Sequence, residues 1–508
     1  MRIVIAGSGQ AVSHWTPEEE GDAPSPTSLR AEAARQALPE GLKRLGAIAV
    51  VRTTEDSVPT STYPFGRDGN PPGTLARELG VEADELIYSG VGGQTPGALV
   101  LEMANRIHAG EMDSALVVGA EAVGAAKLAR RAGLDLDWSA DDPAPFTDRG
   151  AALDWISAEE FRHGLHTPAH HYGLVESALA HAHSDGRESH RRAMAELLAP
   201  FSEVAARNPF AQFPKAWDAD ALATPSPRNY PLADPYLRHH AAQDAVNQGA
   251  AVLLMAEDAA RGSGLTGTYL LGGATARDGV LSRRHDIAHA AAMDAAGGVA
   301  LEAAGLDLGD VDALDMYSCF PCAVWCGLVA LGYPTPGLPG FAREMESMAG
   351  YISTPIPGPL TVTGGLPFFG GPGNNYSLHA VIGMHARLRG TAERGLVLAN
   401  GGWLSKAAVV LTSGAPADYT PAPPPIDAAR DERDLVPEPC TGHLEAFTFS
   451  NSRSGPSSGT ALVRVRHTDR ALATATGEAL ARLAGDRSPI GAEVRVEVES
   501  GVGRLHFA

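Results

Sequence analysis

Cysteine is scarce in this chain, with four in 508 residues. A protein of this length builds a core without disulfides, and so few thiols fit a reducing compartment, so a cytoplasmic location is expected. No apolar run reaches the roughly 20 residues of a membrane span. The opening MRIVIAGSG reads as a strand and a glycine turn, because no basic segment, longer apolar core and cleavage site are present to make a signal peptide. Positive charge is also in deficit. Forty Lys and Arg stand against 60 Asp and Glu, a net charge of −20, which argues against a nucleic-acid face and against an anionic membrane surface. Metal signatures are incomplete. Cys319 and Cys322 form one Cys-x-x-Cys pair with no second pair at suitable spacing, and His163, His166, His170 and His171 have no HExxH pattern and no acidic partners. No metal is expected. The composition, rich in Ala, Gly, Pro and Arg and poor in Lys, looks like that of a GC-rich bacterial genome.

The chain does contain a repeat. GVGGQTPGALVLEMANRIHAGEMDSALVVGAEA, from Gly90, and GGPGNNYSLHAVIGMHARLRGTAERGLVLANGG, from Gly370, share a Gly-rich turn, a polar cap, a helix, a charged loop and a buried strand ending in small residues. Such a repeat points to a duplicated half-domain. Strands alternating with helices predict a mostly parallel sheet covered on both faces. The helical, His-rich stretch between the halves is read as a lid. A Pro-rich linker and a small all-β unit follow, built from LEAFTF, ALVRVRH, AEVRVEV and GVGRLHF, with a helix expected over 471–483. The predicted units are 1–265, with an insertion at about 123–240, then 266–414, a linker at 415–440, and a barrel at 441–508.

Loops at the ends of parallel strands are where such sheets bind ligands. The first loop is SGVGGQTP, whose Gly92 and Gly93 can aim backbone N–H groups at a carbonyl or phosphate. In the second, YSCFP, Tyr317, Ser318 and Cys319 are consecutive, while Cys322 and Cys326 are expected to pack inside. The third, GGLPFFGGPGNNY, has Gly370, Gly371, an N-cap candidate in Asn374 or Asn375, and Tyr376 sharing a helix face with His379. The fourth is ANGG, with Ala399 and Asn400. The lid adds His166, His170 and His171.

The paired glycine loops, YSCF, TGGLPFFGGPGNN and ANGG together resemble the thiolase superfamily, nearest the acetyl-CoA acetyltransferase-like branch related to sterol-carrier-protein-type thiolases. The resemblance spans roughly residues 1–414, and the C-terminal barrel resembles the added domain of thiolase-like proteins of type 1. It implies an α/β fold of two βαβαβαββ halves, layered α/β/α/β/α, with a lid insertion and an OB-like C-terminal domain. It implies coenzyme A or acyl-CoA as ligand, held by Gly92, Gly93, His166, His170, His171, Gly370, Gly371, Asn374 and Asn400, with no covalently bound cofactor. It also implies either a monomer or a homodimer joined through the edge strand near Leu86 to Gly90.

This chain departs from thiolases at the catalytic positions. Gly92 stands where they carry the nucleophilic cysteine, Gly371 replaces the histidine of the third loop, and Ala399 replaces the second cysteine. A glycine cannot form a thioester, so two-step acyl transfer lacks its machinery. The expected function is an acyl-CoA-binding protein of the acetyl-CoA acetyltransferase family without thiolase activity. One alternative is a carbon–carbon lyase acting on a β-hydroxyacyl-CoA. Some thiolase-like aldolases use tyrosines near these loops with a small barrel partner, which would make Tyr317 and Tyr376 a tyrosinate base pair, with Ser318 and His379 as further catalytic candidates. A non-catalytic acyl-CoA carrier or sensor is the other.

Overall fold

In the computed structural model, the described residues are 1–18, 22–58, 60–152, 154–183, 186–338, 354–429, 432–452, 454–466 and 468–507. The first half runs β1 (Ile3–Val12), α1 (Pro26–Ala37), β2 (Arg44–Val50), α2 (Pro71–Leu79), β3 (Glu82–Tyr88), α3 (Thr95–His108) and β4 (Ser114–Ala122). An insertion follows, with α4 (Val123–Ala132), α5 (Pro168–His183) and α6 (Arg187–Ala205), and the half closes with β5 (Asn247–Ala256). The second half runs β6 (Thr268–Arg277), α7 (Ala291–Ala304), β7 (Ala313–Met316), α8 (Pro321–Leu331), α9 (Tyr376–Leu388), β8 (Arg394–Gly401) and β9 (Lys406–Ser413).

These strands form one continuous sheet in the order β3-β2-β4-β5-β1-β6-β9-β8-β7. The halves join where Ile3–Ile5 of β1 run antiparallel to Thr268–Leu270 of β6. Helices α3 and α9 pack on each other and on strands of both halves, while α1 covers the outer side of the first half and α7 that of the second. The result is the α/β/α/β/α layering. The two repeated sequences are α3–β4 and α9–β8, so the repeat supplies the two central helices and the strand that follows each.

Two expectations need correction. The sheet is mixed rather than mostly parallel: β2 runs parallel to β3 and β4, and β7 to β8, but β4–β5, β5–β1, β6–β9 and β9–β8 are antiparallel. The short turn between β8 and β9 allows only a hairpin, since a parallel return needs a long crossover. The opening glycines also make no turn. Gly7 and Gly9 lie inside β1, where an added Cβ would stand 2.0 Å from Ala37 O and 2.1 Å from Ala33 O respectively. Their missing side chains let α1 lie directly on the strand.

The C-terminal unit comprises β10 (Cys440–Ser452), β11 (Gly455–Arg464), β12 (Asp469–Ala475), α10 (Gly477–Leu483), β13 (Glu493–Glu499) and β14 (Val502–Phe507). Pairings β10–β11, β11–β12, β12–β14, β14–β13 and β13–β10 close a five-stranded ring, with the helix between its third and fourth strands. This is the OB-like arrangement. The helix expected over 471–483 is confined to its second part. Residues 469–475 pair with β11 instead, because the buried Ala471, Ala473 and Ala475 pack the barrel core, and packing overrides helix propensity.

The barrel sits against the insertion. Helix α5 packs on β10, Asp234 N–H donates to Phe449 O, and Asn451 N–H donates to Leu232 O. Arg470, fully buried, pairs with Glu445 and also donates to the carbonyl oxygens of Ser282, Arg284 and His285. The stretch read as a linker is strapped to the body where it is described. Tyr419 is buried and its hydroxyl donates to Asn105 Oδ1 at 2.7 Å, and Ile426–Asp427 pair with β6. Residues 430–431 of that stretch lie outside the described residues.

Candidate functional site

The four glycine-rich loops converge at the N-termini of α3 and α9. Gly92 N–H donates to Asn374 Oδ1 at 3.0 Å, and Asn374 Nδ2 donates to Arg52 O at 2.8 Å and Ser57 Oγ at 2.9 Å. Asn374 therefore bridges two loops and is no N-cap, and Asn375 makes no capping bond either. Ser377 Oγ donates to Gly93 O at 2.8 Å. The Tyr317 ring reaches into the first loop, so that a Cβ on Gly93 would stand 2.2 Å from its hydroxyl and 2.5 Å from Asn400 O. Asn400 Nδ2 donates to Tyr172 Oη at 2.8 Å, beside Cys319 Sγ at 3.9 Å.

Tyr317 and Tyr376 meet edge to face, with ring centroids 5.4 Å apart. They are not equivalent. Tyr376 Oη lies 2.6 Å from Thr363 Oγ1 and donates to Asp315 Oδ1 at 3.2 Å. Asp315 also accepts from Thr361, Val362 and Thr363, and burial pushes its carboxyl up to about 6. The Tyr317 hydroxyl makes no hydrogen bond among the described residues. Burial raises both phenols above the ordinary value near 10, and Asp315 raises Tyr376 further. A tyrosinate base is therefore disfavoured. The Gly92 N–H, a donor that could otherwise stabilise an anion at the loops, is already bonded to Asn374 Oδ1.

Ser318 is buried and accepts from Leu366 N–H at 3.2 Å, so it holds the third loop against the second. His379 is buried beneath the loops with Nδ1 2.7 Å from Gln10 Oε1, and burial lowers its basicity to about 3, so it stays neutral. Cys319 is buried, and desolvation pushes its thiol up to about 12. Cys322 and Cys326 pack inside as expected.

The chain is 30% identical to a monomeric SCP2-thiolase-like protein type 1 from Mycobacterium smegmatis, over 100% of this chain and 99% of that one, with a TM-score of 0.78. The chain belongs to the SCP2-thiolase-like proteins of type 1, within the thiolase superfamily. A family model described as thiolase C-terminal domain-like matches residues 273–414. Two further structures share the fold alone. An Ltp2-ChsH2(DUF35) aldolase is 19% identical over 82% of this chain and 99% of that one, with a TM-score of 0.55. The dimeric peroxisomal thiolase of Saccharomyces cerevisiae is 14% identical over 81% and 97%, with a TM-score of 0.53. No curated protein matches by sequence.

Gly92 has φ of 138°, a conformation that side chains rarely adopt, and a Cβ there would stand 2.1 Å from Gln94 Oε1. Gly371 N–H donates to Gln243 O at 2.8 Å, and a Cβ would meet Ala242 at 3.3 Å. Gly370 lies against Gln248, and Ala399 is buried.

The lid histidines are not gathered at the junction. His170 Nε2 lies 2.7 Å from Ser450 Oγ of the barrel, His163 Nε2 accepts from Gly503 N–H at 2.9 Å, and His166 lies on Phe161. His171 is buried against Trp403 with rings 3.6 Å apart, and burial lowers its basicity to about 3. Successive residues on a helix point in different directions, so neighbours in sequence are dispersed here.

Two features were missed in the sequence. A groove of about 500 Å³ lies outside the third loop, floored by Ala242 and Gln243 and edged by Lys127, Arg131, Arg238 and Tyr230. Lys127 pairs with Asp244, whereas the Arg131 and Arg238 guanidiniums have no partner among the described residues. The KLARR run in so acidic a chain was the available signal. The other is Glu121, a lone acid in the apolar strand SALVVGAEA, buried with its carboxyl pushed up to about 7.

The edge of β3 is partly taken by the chain itself. Ile87 and Tyr88 pair with Thr147 and Asp148, and Arg149 N–H donates to Tyr88 O. At the edge expected to join a homodimer, Leu86 to Gly90, the backbone groups of Ile87 and Tyr88 are thus bonded within the chain.

Proposed function

We propose that this protein binds acyl-CoA and does so without the covalent chemistry of thiolases. The basic groove carries the reading. Three cations border a cleft that abuts the third loop in a molecule of net charge −20, and two are free to receive the phosphates of coenzyme A. Tyr230, 46% exposed, offers a stacking face at the rim. The glycines at the two thiolase positions and the Cys319 thiol, raised to about 12, support non-covalent binding.

Titration calorimetry and native mass spectrometry with CoA and acetyl-CoA test it. Binding that weakens with salt and falls at least about tenfold in Arg131→Ala with Arg238→Ala is the expected result, since each charge-assisted bond is worth about 1.5–3 kcal/mol. An enzyme-bound acetyl group, or acetoacetyl-CoA formation lost in Cys319→Ser, overturns it.

A second reading is retro-aldol cleavage of a β-hydroxyacyl thioester. The unpartnered Tyr317 hydroxyl favours it, as a neutral donor to the substrate oxygen rather than as an anion. The aldolase relative named with a DUF35 partner lends the barrel a matching role in cis. Aldehyde or ketone release from β-hydroxyacyl-CoA thioesters, lost in Tyr317→Phe, is the expected outcome. Cleavage at the wild-type rate in that variant removes Tyr317 from the chemistry.

A further inference from the structure

A second cavity, of about 350 Å³, opens along α4 and shares only Lys127, which pairs with Asp244, with the basic groove. Glu121 and Glu55 are its acidic lining residues; beyond the effect of burial, Glu55 raises and Arg30 lowers the Glu121 carboxyl. Glu121 Oε1 accepts from Thr54 N–H at 2.6 Å and Thr54 Oγ1 at 2.9 Å. Its other oxygen, Oε2, has no hydrogen bond among the described residues. The carboxyl also touches the third loop, since a Cβ on Gly373 would stand 2.3 Å from Oε1. The wall carries the hydroxyls of Thr60 and Thr62, which make no hydrogen bonds among the described residues, and the indole of Trp138. At the mouth stands Arg130, exposed and with no charged partner among the described residues.

Glu121 is 2% exposed and lines the cavity, so its unbonded oxygen is largely desolvated, and a ligand donor would restore the bond that bulk water gives a surface carboxylate. A free guanidinium recognises a carboxylate with two parallel bonds. Hydroxyls both donate and accept, and an indole face covers the apolar side of a sugar-like carbon chain. A cavity of a few hundred Å³ with an apolar wall and few convergent polar groups is the usual form of a small-molecule site.

We propose that this cavity is a ligand site distinct from the basic groove, and that it takes a small polyhydroxylated carboxylate, with the carboxylate on Arg130 and a ligand hydroxyl donating to Glu121 Oε2. The near-neutral titration of Glu121 agrees with this arrangement: a hydroxyl donor favours the ionised form, so binding near neutral pH releases a proton from Glu121.

The test uses the full chain with gluconate and hexanoate as probes, two six-carbon carboxylates that differ in their hydroxyls. Calorimetry in buffers of different ionisation enthalpy reads affinity and proton release together. Gluconate is expected to bind at least about tenfold more tightly than hexanoate, to lose about tenfold in affinity in Arg130→Ala, and to release a proton in the wild type but not in Glu121→Gln. Failure of gluconate to bind, equal affinity for the two probes, or unchanged gluconate affinity in Arg130→Ala overturns the proposal. CoA is titrated into the same samples. Arg130 does not line the basic groove, so loss of gluconate binding with CoA binding intact, or the reverse, separates failure of this site from failure of the acyl-CoA reading.

Discussion

At the scale of single residues, burial sets the chemistry of the loop junction. Tyr317, Tyr376 and Cys319 are driven towards their neutral forms by desolvation, and His379 is kept unprotonated by the same cause. The junction offers hydrogen bonds rather than a nucleophile or a strong base. Glu121 differs because its ionisation falls in the working range, which makes folding depend on pH. Below about pH 4.5 the carboxyl is protonated in both folded and unfolded chains and contributes nothing. From there to about pH 7 the unfolded chain ionises while the folded one keeps its proton, so stability falls as pH rises, and the full penalty is present above pH 7. The shift corresponds to up to about 3 kcal/mol. Glu121→Gln keeps an acceptor for Thr54 and removes the ionisation. Urea unfolding is expected to find this variant more stable than wild type at about pH 8, with the difference vanishing near pH 4.5. A constant difference across that range means that Glu121 does not titrate in the folded protein.

At the scale of elements, the sequence showed more than it did of the residues. The repeat located α3–β4 and α9–β8, because a buried helix and strand with small residues at their ends leave a pattern that survives duplication. The alternation of strands and helices showed a sheet covered on both faces, and the resemblance to thiolases implied its α/β/α/β/α layering. Pairing direction was not legible, since an apolar strand such as SALVVGAEA reads alike whether its neighbour is parallel or antiparallel. The opening glycines were misread for a related reason: a glycine that admits a helix looks in sequence like one that makes a turn. The close approach of α1 gives a direct check. Gly9→Ala places a methyl 2.1 Å from Ala33 O and 2.6 Å from Gln36 Cβ, and backbone on that side cannot yield without moving α1. A loss of about 1–3 kcal/mol in urea unfolding is expected, with the sheet otherwise intact. The β3 edge belongs to the same scale. With Ile87 and Tyr88 paired to Thr147 and Asp148, and Glu82 and Asp84 on the remaining edge held by Arg44, strand-to-strand dimerisation has few free groups and an unfavourable charge. Light scattering at micromolar concentration is expected to give the mass of one chain, and a dimer would place the interface elsewhere.

At the scale of the whole molecule, the insertion, the barrel and the second half are bound to one another, and this was the least legible part of the sequence. The four lid histidines suggested a ligand cluster, yet His163 and His170 face the barrel, contacts that depend on residues some 280 to 340 positions away. Nothing in the sequence singles out Arg470, which stands just before the helix expected over 471–483. In the fold it is 0% exposed and holds Glu445 together with three carbonyl oxygens of the 282–285 loop. That loop leads to His171 and Trp403, because the Arg284 guanidinium donates to Trp403 O at 2.9 Å. The barrel is thus tied through one arginine to the segment that packs beside the fourth loop. Arg470→Met keeps much of the volume and removes every donor, leaving Glu445 half-buried without its partner and the carbonyls without theirs. Breaking one side of such a pair costs about 3–5 kcal/mol. If the barrel is integral, Arg470→Met lowers the melting temperature in a single transition and exposes the 415–440 strap to protease. A second, separate melting transition, with the body as stable as in wild type, would instead mean that the barrel folds and unfolds as an independent unit, and that Arg470 carries no coupling between it and the loops.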